Sequence, residues 1–187
     1  MRRILPHSKR LLTEVISEGD IVVDATMGNG NDTVFLAQAV GSTGKVYAFD
    51  IQQQALEATK ERLGDLYSRT DLILDSHSCI RKYVPEGITA AVFNLGFLPN
   101  QNDHAVITHP DTTVRALQET LKLLKPGGMI TIAVYDGHPG GPEERDAVLG
   151  FVQQLNAKQY QVVRHEVVNQ QNHPPFLLII EKTSRNV

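Results

Sequence analysis

The sequence predicts an α/β fold, a mostly parallel sheet with helices on both faces. Three observations carry that reading. Short apolar runs alternate with amphipathic stretches along nearly the whole chain. The first run, IVVDA, leads into a loop carrying Gly28 and Gly30 and then into a helical pattern. The next, KVYAFD, ends on a single carboxylate, Asp50. A strand, a glycine loop and a helix, followed by a strand tipped with an acid, is how such sheets grip a nucleoside.

Taken in order, Lys9–Ser17 places Leu11, Leu12, Val15 and Ile16 on one helical face, and Gly19-Asp20 ends it. Ile21–Ala25 reads as a buried strand and Asp32–Val40 as a helix. Lys45–Asp50 is a strand, Gln53–Leu66 a helix and Leu72–Asp75 a strand. A short helix or turn over Ser78–Tyr83 precedes the strand Ala90–Asn94. Asp111–Leu124 is a long amphipathic helix, and Lys125-Pro126-Gly127-Gly128 is a sharp stop before the buried strand Met129–Tyr135. Glu143–Leu155 is a helix. Val162–Val168 and Phe176–Glu181 follow as strands with no helix between them, which predicts an antiparallel hairpin at one sheet edge.

Composition bounds the function. The 187 residues suffice for one domain, read here as residues 1–187, with a substantial core. A net charge of -3 argues against a general polyanion binder but leaves room for a local basic patch. The single cysteine, Cys79, rules out an internal disulfide and fits a reducing compartment. The start, MRRILPHSKR, is basic without the apolar stretch of a signal peptide. No run approaches the roughly 18 apolar residues of a membrane span, so a soluble, cytoplasmic protein is expected. No residue cluster has metal-ligand spacing, and no metal is expected.

The first loop separates the nucleotide-binding classes. Dinucleotide enzymes use G-x-G-x-x-G, but the third glycine position here holds Thr33, and Asp32 would repel a phosphate. No Gly-Lys-Ser/Thr follows, which excludes a P-loop. Asp24 and Asp32 instead suit a ligand with a cationic end, and S-adenosylmethionine carries a sulfonium and an ammonium. Its expected contacts are Asp24, Thr26, Gly28, Asn29, Gly30, Asp32 and Thr33 in the first loop, with Asp50 and Gln52 after the second strand. Asp50 can take a ribose diol and also cap the helix that follows. Ser76 and His77 after the third strand are expected beside the adenine, His77 in a binding role only.

The fourth strand ends AVFNLGFLP. Asn94 at its tip and the backbone of Leu95 form an acceptor pair suited to an amine N–H, and these are the candidate catalytic residues. Gly96 permits close backbone approach and joins the cofactor candidates, as does Asn94. An alkyl amine with a pKa near ~10.4 is mostly protonated at neutral pH, and only its neutral form attacks a methyl group. Phe97, Tyr135 and His138 are candidate substrate contacts. Arg2, Arg3, Lys9 and Arg10 are candidate phosphate contacts, as are Arg81 and Lys82, with solvated surface charge as the alternative. Glu143 and Glu144 suit the N-terminus of the next helix.

These stretches resemble a known family. The acidic Gly-x-Gly loop, Asp50 and Leu124-Lys125-Pro126-Gly127-Gly128 are similar to class I methyltransferases. DATMGNGNDTVFLA, FNLGFLP, YDGHPGG with Glu144, and NHPPFLLIIEK are similar to the small bacterial family labelled putative rRNA methylases, which includes methyltransferases for 5-aminomethyl-2-thiouridine at the tRNA wobble position. The resemblance runs from Asp24 to Lys182. It implies a Rossmann-like, seven-stranded sheet and S-adenosylmethionine as cofactor. It also implies methylation of the exocyclic amine in the tRNA anticodon stem-loop, and a homodimer. The chain departs from the family pattern at Asn31, often His, at Asn100-Gln101-Asn102, often a Gly-Gly turn, and near Ser8-Lys9, often Ser-His. Methylation of ribosomal RNA or of a small amine stays open, as do a nicotinamide-dependent oxidoreductase and a non-catalytic adenosylmethionine-binding module.

Overall fold

The computed structural model describes residues 4–96, 108–170 and 174–183. Seven strands form one sheet: β1 (Ile21–Asp24), β2 (Lys45–Asp50), β3 (Thr70–Leu74), β4 (Ile88–Leu95), β5 (Leu124–Val134), β6 (Tyr160–His165) and β7 (Phe176–Lys182). Among the described residues five α-helices accompany them: α1 (Ile4–Val15), α2 (Asn31–Ala39), α3 (Gln53–Leu63), α4 (Pro110–Leu123) and α5 (Gly141–Gln153). The strand order is β3-β2-β1-β4-β5-β7-β6. All neighbours are parallel except β7, which is antiparallel to both β5 and β6. The expected terminal hairpin is present, with β7 inserted between β5 and β6.

Both faces are covered, which is why the central strands are apolar without alternation. On one side Val23, Phe93, Ile130 and Ile132 meet Ala116 and Leu117 of α4 and Val148 of α5. On the other, Val22, Val46, Ala90 and Val92 meet Leu12 of α1, and Leu36 and Ala37 of α2. α1 is tied down by a buried hydroxyl pair, Ser8 Oγ donating to Thr131 Oγ1 of β5 at 2.9 Å, and by Leu12, which is 1% exposed.

Several boundaries differ from the sequence reading. α1 reaches back from the expected Lys9 to Ile4, the first described residue, and takes in Pro6. The helix through Leu66 ends at Leu63, and Gly64–Arg69 forms a 3-10 turn. Lys125–Gly128 is not a stop before the strand but its bulged first part. Leu124 already pairs with Ile88, and the register shifts before Ala90 pairs with Met129. β6 occupies Tyr160–His165 rather than Val162–Val168, since its pairing with β7 starts at Tyr160 opposite Lys182. No helix of the described residues is long and apolar enough to cross a membrane.

This topology positions the site. The strand order reverses direction between β1 and β4, so the segments leaving their carboxyl ends run to opposite faces of the sheet, to α2 and to α4, and leave a crevice at the rim by Asp24 and Asn94.

Candidate active site at the carboxyl rim

Asp24 closes β1 and is fully buried. Its Oδ2 accepts from Thr33 Oγ1 at 2.7 Å and its Oδ1 from the Thr26 N–H at 3.2 Å. Burial, then the nearby charge of Asp32, pushes its carboxyl up to about 7. Thr26 Oγ1 in turn accepts from the Asn94 backbone N–H at 2.7 Å. One carboxylate therefore fixes the loop, the start of α2 and the tip of β4.

The glycine loop is shaped by the next strand and helix. The Gly28 N–H donates to Asp50 Oδ2 at 3.0 Å, and Thr59 Oγ1 of α3 donates to the Gly28 carbonyl at 3.1 Å. Gly30 has φ +78°, and a Cβ there would lie 2.8 Å from Thr59 Oγ1 and 3.0 Å from Thr59 Cα. Only glycine meets both demands. Asn29 sits half-buried between the two glycines. Asp50 Oδ1 accepts from the Gln52 N–H at 3.0 Å, and burial holds its carboxyl above the usual range.

Asp32 lies in the first turn of α2, where a carboxylate suits the helix N-terminus. Its Oδ2 accepts from Asn94 Nδ2 at 2.6 Å, and its Oδ1 is 2.8 Å from Lys9 Nζ. The Asn94 amide is thereby turned, and its Oδ1 is left buried with no hydrogen-bond partner. An orphaned buried acceptor of this kind fits a donor from a ligand. The Leu95 side chain is buried, and its backbone is the last rung of the β4–β5 ladder, opposite Val134.

On the β3 side, Ser76 caps a short 3-10 turn (His77–Lys82) by accepting from the Ser78 N–H. His77 is 9% exposed, and burial lowers its pKa, so the ring is neutral at pH 7. Its Nδ1 lies 3.2 Å from the Ala25 carbonyl, which can only accept, so Nδ1 carries the proton. Nε2 is a second buried acceptor without a partner.

On the β5 side, Tyr135 is half-buried, and burial with the charge of Asp32 raises its pKa. His138 Nδ1 lies 3.0 Å from the Pro139 carbonyl. Its Nε2 would be 3.5 Å from a Cβ on Gly96. The Gly96 N–H donates to Thr108 Oγ1 at 3.0 Å, and that hydroxyl donates to Glu144 Oε2 at 2.6 Å. Glu144 is 1% exposed and also accepts from Thr113 Oγ1 at 2.6 Å. It holds the end of β4 to α4 and α5, beyond the helix N-terminus role expected of it.

The structure thus gathers the expected first-loop residues, Asp50, Asn94, Gly96, His77, Tyr135 and His138 at one rim. Lys9 joins them through Asp32. Phe97, Arg2 and Arg3 lie outside the described residues. Sequence reasoning missed Thr59 and Thr108. Neither stands in a motif, and each acts through one hydroxyl that only the fold brings into reach. Among the described residues no group of three His, Cys, Asp or Glu side chains is placed to hold a metal ion.

Strand order and rim together define the class I methyltransferase fold. The family model described as Putative rRNA methylase matches residues 46–181, and the chain belongs to that family. It is similar to the crystal structure of a putative rRNA-methylase from Clostridium thermocellum, with 43% identity, a TM-score of 0.95 and coverage of 97% of this chain and 98% of that one. It is also similar to a putative methyltransferase from Streptococcus mutans in complex with SAH, with 47% identity, a TM-score of 0.89 and coverage of 97% and 99%. Among curated proteins, it is 37% identical over 181 residues to the chloroplastic tRNA (mnm(5)s(2)U34)-methyltransferase of Arabidopsis thaliana, covering 90% of this chain. The chain spans 66% of that relative's length.

Two outcomes follow. Gly30→Ala should lose binding of adenosylhomocysteine by at least about tenfold in calorimetry, because it imposes strain at positive φ and displaces Thr59. Asp24 titrates far above an ordinary aspartate, near 3.8, so the folded chain holds one proton more than the unfolded chain between about pH 4 and about 7. Stability from this group is therefore full below that window and falls as pH rises through it, by at most about 1.4 kcal/mol per unit. Denaturant titrations should show Asp24→Asn gaining on the wild type from pH 5 to pH 8. A difference that does not change with pH contradicts the raised pKa.

Proposed function

We propose that the chain is an S-adenosylmethionine-dependent N-methyltransferase acting on the exocyclic amine of 5-aminomethyl-2-thiouridine at the tRNA wobble position. The observation that carries the reading is the buried, unpartnered Asn94 Oδ1 at the β4 tip. The glycine loop between Asp24 and Asp32, with Asp50 beside it, fits a donor whose amino-acid end is cationic and whose ribose needs acceptors. The SAH complex of the Streptococcus mutans relative and the substrate named for the Arabidopsis relative support it. The family resemblance also supports a homodimer and a cytoplasmic location.

When bound, the cofactor supplies a methyl group activated by a positively charged sulfur. The protein's part is placement. Asn94 Oδ1 accepts one N–H of the amine, which orients the nitrogen lone pair, and the buried setting disfavours the ammonium form. Asp50 and the Gly28 N–H hold the loop in its binding shape. His77 Nε2 offers an acceptor to the adenine edge. Tyr135 and His138 wall the opposite side, where a flipped-out base can stack. The nitrogen gives up its ammonium proton to solvent before attack, and its lone pair then forms the new N–C bond; the donor would leave as a neutral thioether with the electron pair of the broken S–C bond.

Transfer RNA from cells lacking this chain should carry aminomethyl-thiouridine in place of the methylaminomethyl form, read by nucleoside mass spectrometry. Added wild-type protein and methyl donor should convert it. Asn94→Ala should bind adenosylhomocysteine normally yet convert this tRNA about 100-fold more slowly, within the range expected for a lost positioning contact. Unchanged nucleoside levels in the deletion strain remove the tRNA assignment, and a wild-type rate for Asn94→Ala removes the role of Asn94.

A further inference from the structure

Lys9 belongs to α1, which precedes the sheet and contributes nothing to the glycine loop. Its ammonium is nonetheless fixed at the site by three contacts. It lies 2.8 Å from Asp32 Oδ1 and 3.3 Å from the Asn31 carbonyl, and 5.2 Å from the centre of the Phe35 ring. The adjacent Ser8–Thr131 pair anchors this stretch of α1 on β5. The side chains of Lys9 and Asp32 are only 34% and 15% exposed, so water screens the pair less than a fully exposed one.

Asp32 divides its two oxygens between Lys9 and Asn94. The Asn94 amide has two orientations, and only the one observed donates to that carboxylate; the other would set oxygen against oxygen. Whatever holds Asp32 therefore sets which atom Asn94 presents. Charge adds a second constraint. The groups around this point are Asp24 on β1, Asp50 on β2, His77 after β3, and Tyr135 and His138 after β5, with Glu144 of α5 behind Thr108. Among the described residues, Lys9 is the only cation ion-paired with Asp24, Asp32 or Asp50. A bare carboxylate next to Asn94 would favour the protonated, unreactive form of an acceptor amine.

We propose that Lys9 is a positioning residue that acts through Asp32: it keeps the Asn94 oxygen toward the acceptor nitrogen and offsets the carboxylate charge that would otherwise hold that nitrogen as ammonium. The inference rests on the reading of Asn94 as the amine acceptor.

The test compares methyl transfer by wild type, Lys9→Met, Lys9→Gln, Lys9→Arg and Asn94→Ala on tRNA from the deletion strain, from pH 6.5 to 9.5. Lys9→Met and Lys9→Gln should shift the rising limb of the kcat profile about one unit toward alkaline pH, a roughly tenfold loss near pH 7.5 that closes by pH 9.5. KM for the methyl donor should change less than about threefold, and Lys9→Arg should restore kcat to within about threefold, since it keeps the charge. Thermal midpoints should stay within a few degrees of wild type, as for other partly exposed pairs. Neutral variants whose profile superimposes on the wild type overturn the role of Lys9, provided Asn94→Ala is impaired. If Asn94→Ala is itself unimpaired, the acceptor reading fails first.

Discussion

The carboxylate of Asp24 lies wholly inside the protein, and the reacting rim is built outward from it. A lone buried carboxylate is costly, and hydrogen bonds offset part of that cost. Here the partners are Thr33 at the start of α2 and the backbone of Thr26. Thr26 then holds the tip of β4 through the Asn94 N–H. Moving any of these groups leaves a buried polar group unsatisfied, so the crevice between β1 and β4 is held in shape by its own hydrogen bonds. Such rigidity is what a reaction governed by placement requires.

The electrostatics of the rim select the ligand class. Dinucleotide sites bring a pyrophosphate to a helix N-terminus free of acids. Here Asp32 occupies that first turn and is engaged from two sides, by Lys9 and by Asn94. A phosphate arriving there would meet a carboxylate that cannot swing away. An acid in that first turn thus separates this rim from a pyrophosphate site, on a sheet architecture that serves both classes.

Much of this was legible in the sequence, for identifiable reasons. Strand–loop–helix alternation and the apolar runs gave the layers, because a sheet covered on both faces needs continuous apolar strands. Asp24, Gly28, Gly30, Asp50 and Asn94 stood out because each sits where an apolar run ends. The failures share one cause, the absence of a local signature for long-range contacts. Thr59 and Thr108 act through hydroxyls reaching 31 and 12 residues along the chain. Lys9 reads from sequence as a candidate phosphate contact or a solvated cation, and only the seating of α1 on β5 turns it toward Asp32. Lys-Pro-Gly-Gly looks like a break because its residues resist regular structure, yet pairing with β4 draws it into a bulged strand.

What ties these elements together is the amide oxygen of Asn94 at the β4 tip, buried and without a hydrogen-bond partner, which we propose accepts from the substrate amine. A crystal structure with adenosylhomocysteine and an anticodon stem-loop carrying the aminomethyl-thiouridine tests this most directly. The expected result is the amine nitrogen about 3 Å from Asn94 Oδ1 and facing the sulfur of the cofactor product. An amine lodged against another wall, or a cofactor product bound away from the loop between Asp24 and Asp32, would contradict it.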